Sequence, residues 1–194
     1  MKLTDIIQKN FPEEWNKMEC LMSDILKSDS EMLNHINNYI QNNAGKRLRP
    51  LLGLLTAKAC SGLINDKSIA CAAASEIIHT ATLLHDDVVD NGDYRRGMKT
   101  IGKLYSPGVS ILVGDFWLTR AINAIISHNC PFLVMSSFAK ALEDLAEGEI
   151  LQMECADNLK TDFDDYLSII RHKTSSLFIA AVTSPAIVSG RNDG

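Results

Sequence analysis

The chain has almost no strand signal: alternating β-branched runs bounded by turn residues do not occur in its 194 residues. It lacks any pair of cysteines at C-x-x-C spacing. The five present (Cys20, Cys60, Cys71, Cys130, Cys155) are scattered, so neither a zinc knuckle nor a redox dithiol is indicated. They read as buried free thiols in a reducing compartment. An excess of positive charge is also missing. Lys and Arg total 19 against 24 Asp and Glu, a net charge of −5, which argues against nucleic acid as a partner. The opening Met1-Lys2-Leu3-Thr4-Asp5 has no apolar core of a signal peptide. Two stretches without charge, 121–139 and 174–190, have the apolar character of candidate membrane spans. The first holds Asn123, His128, Asn129 and Pro131. The second is broken by Pro185 and falls short of the ~20 apolar residues that a span needs. Both read as buried helices, so no span and a cytoplasmic location are expected. Repeats, low-complexity tracts and linkers are absent, and 46% hydrophobic with 22% charged residues is ordinary globular composition. One domain over residues 1–194 is expected.

Helical periodicity fills the chain, and the fold class is all-α. Pro12 with Glu13 and Glu14 resembles a first helical turn, leading a polar amphipathic helix over 12–42. Residues 44–50 form a connection. Residues 51–60 are helical and stop near Gly62. Asn65 or Asp66 caps a helix over 68–90, which is apolar almost all round and therefore central. Residues 91–108 form a loop with at most a short helical turn. Further helices are expected over 109–128, 131–156 and 161–188, the last capped by Thr161 with Asp164 in support.

The central helix ends in Asp86, Asp87 and Asp90, followed by Arg95 and Arg96. Asp86 and Asp90 share a face one turn apart, where like charges repel. A divalent cation relieves that cost. Mg²⁺ is typically held by one or two carboxylates together with substrate phosphates, and arginine forks suit phosphate. The bland alternative is a solvated helix end, but here the acids extend a buried helix. A second cluster, Lys46, Arg47 and Arg49, suits another diphosphate or simply decorates a surface. His79 lies seven residues before Asp86, about two turns; a hydrogen-bonded core histidine is the plainer reading. Asp115, Glu149, Gln152, Lys173 and Thr174 interrupt otherwise apolar helices, where a carboxylate needs a partner.

The stretches GKRLRP (45–50), EIIHTATLLHDDVVD (76–90), YRRGMKT (94–100), SILVGDFWLTRA (110–121), AEGEILQ (146–152) and RHKTSSLF (171–178) resemble, in order, the trans-isoprenyl diphosphate synthases, and among them the long-chain polyprenyl synthases. The resemblance implies a helical bundle around an apolar tunnel, a homodimer, and condensation of an allylic diphosphate with isopentenyl diphosphate. It implies that Asp86, Asp87 and Asp90 bind Mg²⁺, which assists ionisation. Arg95 and Lys173, with Thr174, would hold the allylic diphosphate. Lys46, Arg49, His79 and Arg96 would hold isopentenyl diphosphate, and Gln152 would contact a metal-bound water. The proton lost after condensation would go to the released diphosphate.

Ala81 and Thr82 precede Asp86 by about one turn. Short-chain members place aromatic rings there, so a small Ala81 implies a long product, such as a quinone tail; a farnesyl or geranylgeranyl product is the alternative. The chain departs from the family in lacking the second aspartate-rich motif downstream of Lys173-Thr174. Asp162, Asp164 and Asp165 precede that pair and are a helix start instead. The family's last helices are expected to be missing, with weak or no activity for this chain alone, whether as a truncated product, a fragment or a subunit completed by a partner chain. Three other readings compete. A metal phosphohydrolase would use His79, His85, Asp86 and Asp115. A terpene cyclase would not need the Lys46 cluster. A non-catalytic subunit would keep one motif and lose the other.

Overall fold

A helix with no polar face must be wrapped by other helices, and the run of small residues from Ala70 to Ser75 meets that condition. The computed structural model describes residues 3–158 and 161–190. In chain order it contains α1 (Leu3–Asn10), α2 (Pro12–Ile25), α3 (Glu31–Asn42), α4 (Leu48–Ser61), α5 (Asp66–Val89), a two-strand hairpin β1 (Tyr94–Arg95) and β2 (Met98–Lys99), α6 (Ile101–Leu104), α7 (Pro107–Ser127), α8 (Phe132–Asn158), α9 (Phe163–Ile170), a π-helical turn (Arg171–Ser175) and α10 (Ser176–Val188). The fold is all-α apart from that hairpin, as the periodicity predicts.

The long helix α5 is the axis. Asn65 caps it, its side chain accepting from Ser68 N at 2.8 Å, so the Asn65 alternative holds. Every residue from Ser68 to Ile78 is buried. Helices α7, α4, α10 and α2 pack around it. Small residues let the backbones close in: a Cβ on Gly53 of α4 would lie 2.8 Å from Ala181 O of α10.

The single helix expected over 12–42 is two. It breaks at Leu26–Ser30, and Ser30 caps α3 through Leu33 N. A buried polar bridge fixes the break: Asn37 Nδ2 donates to Leu26 O at 2.6 Å, and Trp117 Nε1 of α7 donates to Asn37 Oδ1 at 2.8 Å. Buried polar groups need such partners, and this pair folds α3 back along α2. The stretch 121–139 is divided likewise, since α7 ends at Ser127 and α8 starts at Phe132. Among the described residues α7 is the one helix long and apolar enough to cross a membrane. It packs on α5 through Val113, Trp117, Ala121 and Ile125, all buried. The expected cap at Thr161 moves one residue on: Asp162 accepts from Asp165 N, and the Asp165 side chain accepts from Asp162 N, a reciprocal capping box. The continuous helix expected beyond it is interrupted by the π-helical turn.

Candidate active site

The segment before α4 cannot start as an ordinary helix, because Arg47 has a left-handed backbone with φ of 49°. Arg96, in the turn of the hairpin, has φ of 52° and is followed by Gly97 at 80°, the two positive values that a tight hairpin turn requires. Left-handed arginines are uncommon, and such strain persists where the surroundings over-determine it. Here it aims both segments at α5. The result is a cleft of about 540 Å³ lined by Lys46, Arg47, Arg49, Glu76, His79 and Arg96, with Phe178 as an apolar wall. The four residues expected to hold isopentenyl diphosphate therefore line one cavity. Connection residues 48–50, expected to be loop, are the first turn of α4.

The cleft is strongly polarised. Arg49 stacks its guanidinium on Phe178, Cζ lying 4.3 Å from the ring centroid. Burial lowers its pKa, and Glu76 opposes that. Burial raises the Glu76 pKa, while Arg49, Arg47 and Arg96 pull it down. His79 is pushed down to about 3, first by burial and then by Arg49, Arg96 and Arg95, so it is a neutral imidazole at pH 7. It is half-buried and lines the cleft, not a closed core. The buried Nε atoms of Arg47 and Arg49 have no hydrogen-bond partner. Arg47 is otherwise paired with Glu19, which leaves Arg49, Lys46 and Arg96 as the cations facing the space. Gly45 makes room for Arg96, whose guanidinium occupies the position a Cβ would take.

The acids end α5, and Asp87 and Arg95 share a neighbouring cavity with Glu76, His79 and Arg96. Three carboxylates at a helix C-terminus face the negative end of the macrodipole, and the last turn contains no basic residue. Asp87 is buried and accepts from Arg95 Nε at 2.6 Å. Burial raises its pKa, Arg95 lowers it, and Asp90 raises it. Asp86 is half-buried. Burial and Glu149 raise its pKa, Lys173 and Arg95 oppose this, and Asp90 adds to the rise. Asp90 is exposed at the helix end.

Lys173 reaches this group from the π-helical turn. That turn inserts one residue per cycle, a feature common at functional sites, and it packs on α8 at Gly148. A Cβ on Gly148 would meet His172 Cβ at 2.6 Å and Lys173 N at 3.0 Å. Lys173 Nζ lies 2.5 Å from Glu149 Oε2 and donates to Gln152 Oε1 at 2.9 Å. Gln152, Lys173 and Thr174 line a further cleft of about 430 Å³ between α8, α9 and the turn.

Oxygen-only donors, clustered carboxylates and an unfavourable helix end fit a hard divalent cation such as Mg²⁺. Asp86 and Asp90 are the free carboxylates for it, with Glu149 facing Asp86. Among the described residues, the group of three ligand side chains with atoms within 4.8 Å of one another is a different one, Asp144, Glu147 and His172. The sequence reading did not pick it out. Lys140 already bridges Asp144 at 3.0 Å. The phosphohydrolase arrangement does not assemble: His85 Nε2 lies 3.3 Å from Asp115 Oδ1, whereas His79 faces the basic cleft. Ala81 is fully buried in the core, and Thr82 is half-buried with its hydroxyl donating to His79 O at 2.8 Å. Neither lines any of these clefts.

The polyprenyl synthetase family model matches residues 30–194. Octaprenyl diphosphate synthase of Haemophilus influenzae is 38% identical over 186 residues, 96% of this chain and 56% of that protein. A solved decaprenyl diphosphate synthase from Rhodobacter capsulatus superposes with a TM-score of 0.90 at 36% identity, covering 96% of this chain and 57% of its own. A polyprenyl synthase from Caulobacter crescentus, solved with calcium and isoprenyl diphosphate, gives 0.88 at 36% identity over 98% of this chain and 56% of its own. The chain thus spans little more than half the length of these relatives.

Proposed function

The chain belongs to the polyprenyl synthetase family, and from that premise we propose that it serves the transfer of an allylic prenyl group to isopentenyl diphosphate, giving a long trans-polyprenyl diphosphate. One observation carries the reading: a basic cleft, holding Lys46, Arg49, His79 and Arg96, lies along α5 before a carboxylate group answered by Lys173. Two substrates that both carry diphosphates need two such places. A terpene cyclase, with one diphosphate, would leave the basic cleft without a purpose.

In this reading the basic cleft binds isopentenyl diphosphate. Lys46, Arg49 and Arg96 supply the charge, and neutral His79 supplies one donor and one acceptor. Asp86 and Asp90 hold Mg²⁺, with Asp87 in support through its hold on Arg95. When bound, Mg²⁺ supplies Lewis-acid neutralisation of the leaving diphosphate. Lys173 and Thr174 bind that diphosphate, Arg95 steadies its approach, and Gln152 would contact a metal-bound water. The double bond of isopentenyl diphosphate then attacks the allylic cation. The proton leaves to the released diphosphate.

A long product is supported by the octaprenyl and decaprenyl names of the relatives; a short product is the alternative. A cytoplasmic homodimer, or a chain completed by a partner, completes the proposal. The test is a condensation assay with farnesyl diphosphate, labelled isopentenyl diphosphate and Mg²⁺, reading product masses. Polyprenyl products that vanish in Asp86→Asn support it. No product from folded protein overturns catalysis by these 194 residues and leaves the non-catalytic subunit.

A further inference from the structure

We propose that Glu149 couples cation to anion at the carboxylate site: it holds Lys173 when no metal is bound, and turns to Mg²⁺ beside Asp86 when diphosphate takes Lys173. This rests on the reading of Asp86 as a metal ligand. The geometry shows the Lys173–Glu149 pair. Lys173 Nζ is 2.5 Å from Glu149 Oε2, and both side chains are largely enclosed, 25% and 16% exposed. Gln152 takes a second of the three ammonium protons. Lys173 is therefore not a free phosphate ligand; it is the internal counter-ion of an acid pair, since the charges of Glu149 and Lys173 both reach Asp86.

The second state follows from charge. A diphosphate that captures Lys173 must take it from Glu149. That leaves Glu149 and Asp86 facing each other in a half-buried place without a cation, which is costly. Two oxygen-donor carboxylates so placed suit Mg²⁺, which restores the balance. Each ligand alone disrupts the Lys173–Glu149 pair without replacing what it removes; both together replace it. Binding of Mg²⁺ and diphosphate is then mutually reinforcing, and reciprocal by linkage. Asp144, Glu147 and His172 lie on the same two elements, but the Lys173 pair does not involve them.

The experiment is titration calorimetry of inorganic diphosphate into the full chain, with and without Mg²⁺, alongside thermal melts that establish folding. For the unaltered chain Mg²⁺ should tighten diphosphate by about tenfold or more. Glu149→Gln should move the two limbs in opposite directions. Diphosphate without Mg²⁺ should bind about three- to tenfold tighter because Lys173 is released, and the gain from Mg²⁺ should fall to about twofold or less. Glu149→Asp keeps the charge and should keep most of the Mg²⁺ gain. A side chain that merely supports the fold would weaken both limbs together. If Glu149→Gln retains the full Mg²⁺ gain while Asp86→Asn loses it, this coupling is overturned and the site reading stands. If the unaltered chain shows no Mg²⁺ gain, both fall.

Discussion

His79 is pushed down to about 3 by burial and by three arginines, against an unfolded value near 6.5. Folding therefore favours the neutral ring, and the sign follows by linkage. Above pH ~6.5 neither state holds the proton, and the contribution to stability is whole. As pH falls from about 6.5 to 3 the unfolded chain takes up a proton that the folded chain refuses, so stability is lost at up to ~1.4 kcal/mol per pH unit. Glu76, Asp86 and Asp87, whose values are raised, act the opposite way over the acid range. The effect of His79 must be read by difference: urea unfolding of His79→Gln and of the unaltered chain between pH 7 and 4 should diverge in slope by close to one proton. Parallel curves would show that the ring is solvated. Gly45 is the second telling residue, since a Cβ there would displace the Arg96 guanidinium. That obstacle is the end of a flexible side chain, so Gly45→Ala should leave the melting temperature within a few degrees while raising KM for isopentenyl diphosphate about tenfold. A fall in stability with unchanged KM would place Arg96 outside the site.

At Gly148 the obstacle is backbone. Its Cβ would press on Lys173 N and His172 Cβ, neither of which can swing away. Gly148→Ala should cost about 1–3 kcal/mol by forcing α8 from the π-helical turn, and the same shift should carry Lys173 away from the carboxylate site. Urea unfolding reads the first effect, and loss of diphosphate binding reads the second. A neutral substitution would mean that the turn is not pinned there. This element also marks a limit of what the chain discloses by itself. The course of α5 was legible, because Asn65 is a cap and Ala70 to Ile78 carry no polar face. The π-helical turn was not: its one-residue insertion leaves the apolar pattern of 161–188 intact and is settled by packing at Gly148. The break after Ile25 was hidden similarly, since it depends on Asn37 meeting Trp117, eighty residues away. At the site, the residue types were legible from Asp86, Arg96 and Lys173 at their spacings. The pairing of Lys173 with Glu149, or of Asp87 with Arg95, was not, because each joins elements whose approach only the fold determines.

At the scale of the whole molecule, the described residues leave one side of the apolar helix α7 uncovered. The face toward α5 is sealed by Val113, Trp117 and Ile125, while Leu112 and Ile126 are 69% and 54% exposed. These two lie fourteen residues apart, close to four full turns, and so share a stripe along the helix. Phe132 and Leu133 at the start of α8 are also exposed, at 85% and 60%. Apolar residues gathered in this way on a monomer mark an association surface. A twofold contact would set the stripe against its own copy, because a C₂ interface uses one patch twice. Leu112→Glu combined with Ile126→Glu places charge on both halves of the stripe without touching any buried side chain. Sedimentation at micromolar concentration should show the unaltered chain as a dimer and the double variant as a monomer of unchanged helicity, with association weakened at least about a hundredfold by two buried charges. If the unaltered chain sediments as a monomer, or the double variant remains dimeric, the stripe is not the contact. The association surface must then be sought elsewhere, beginning with exposed Ile150, Met153 and Ile179 on α8 and α10.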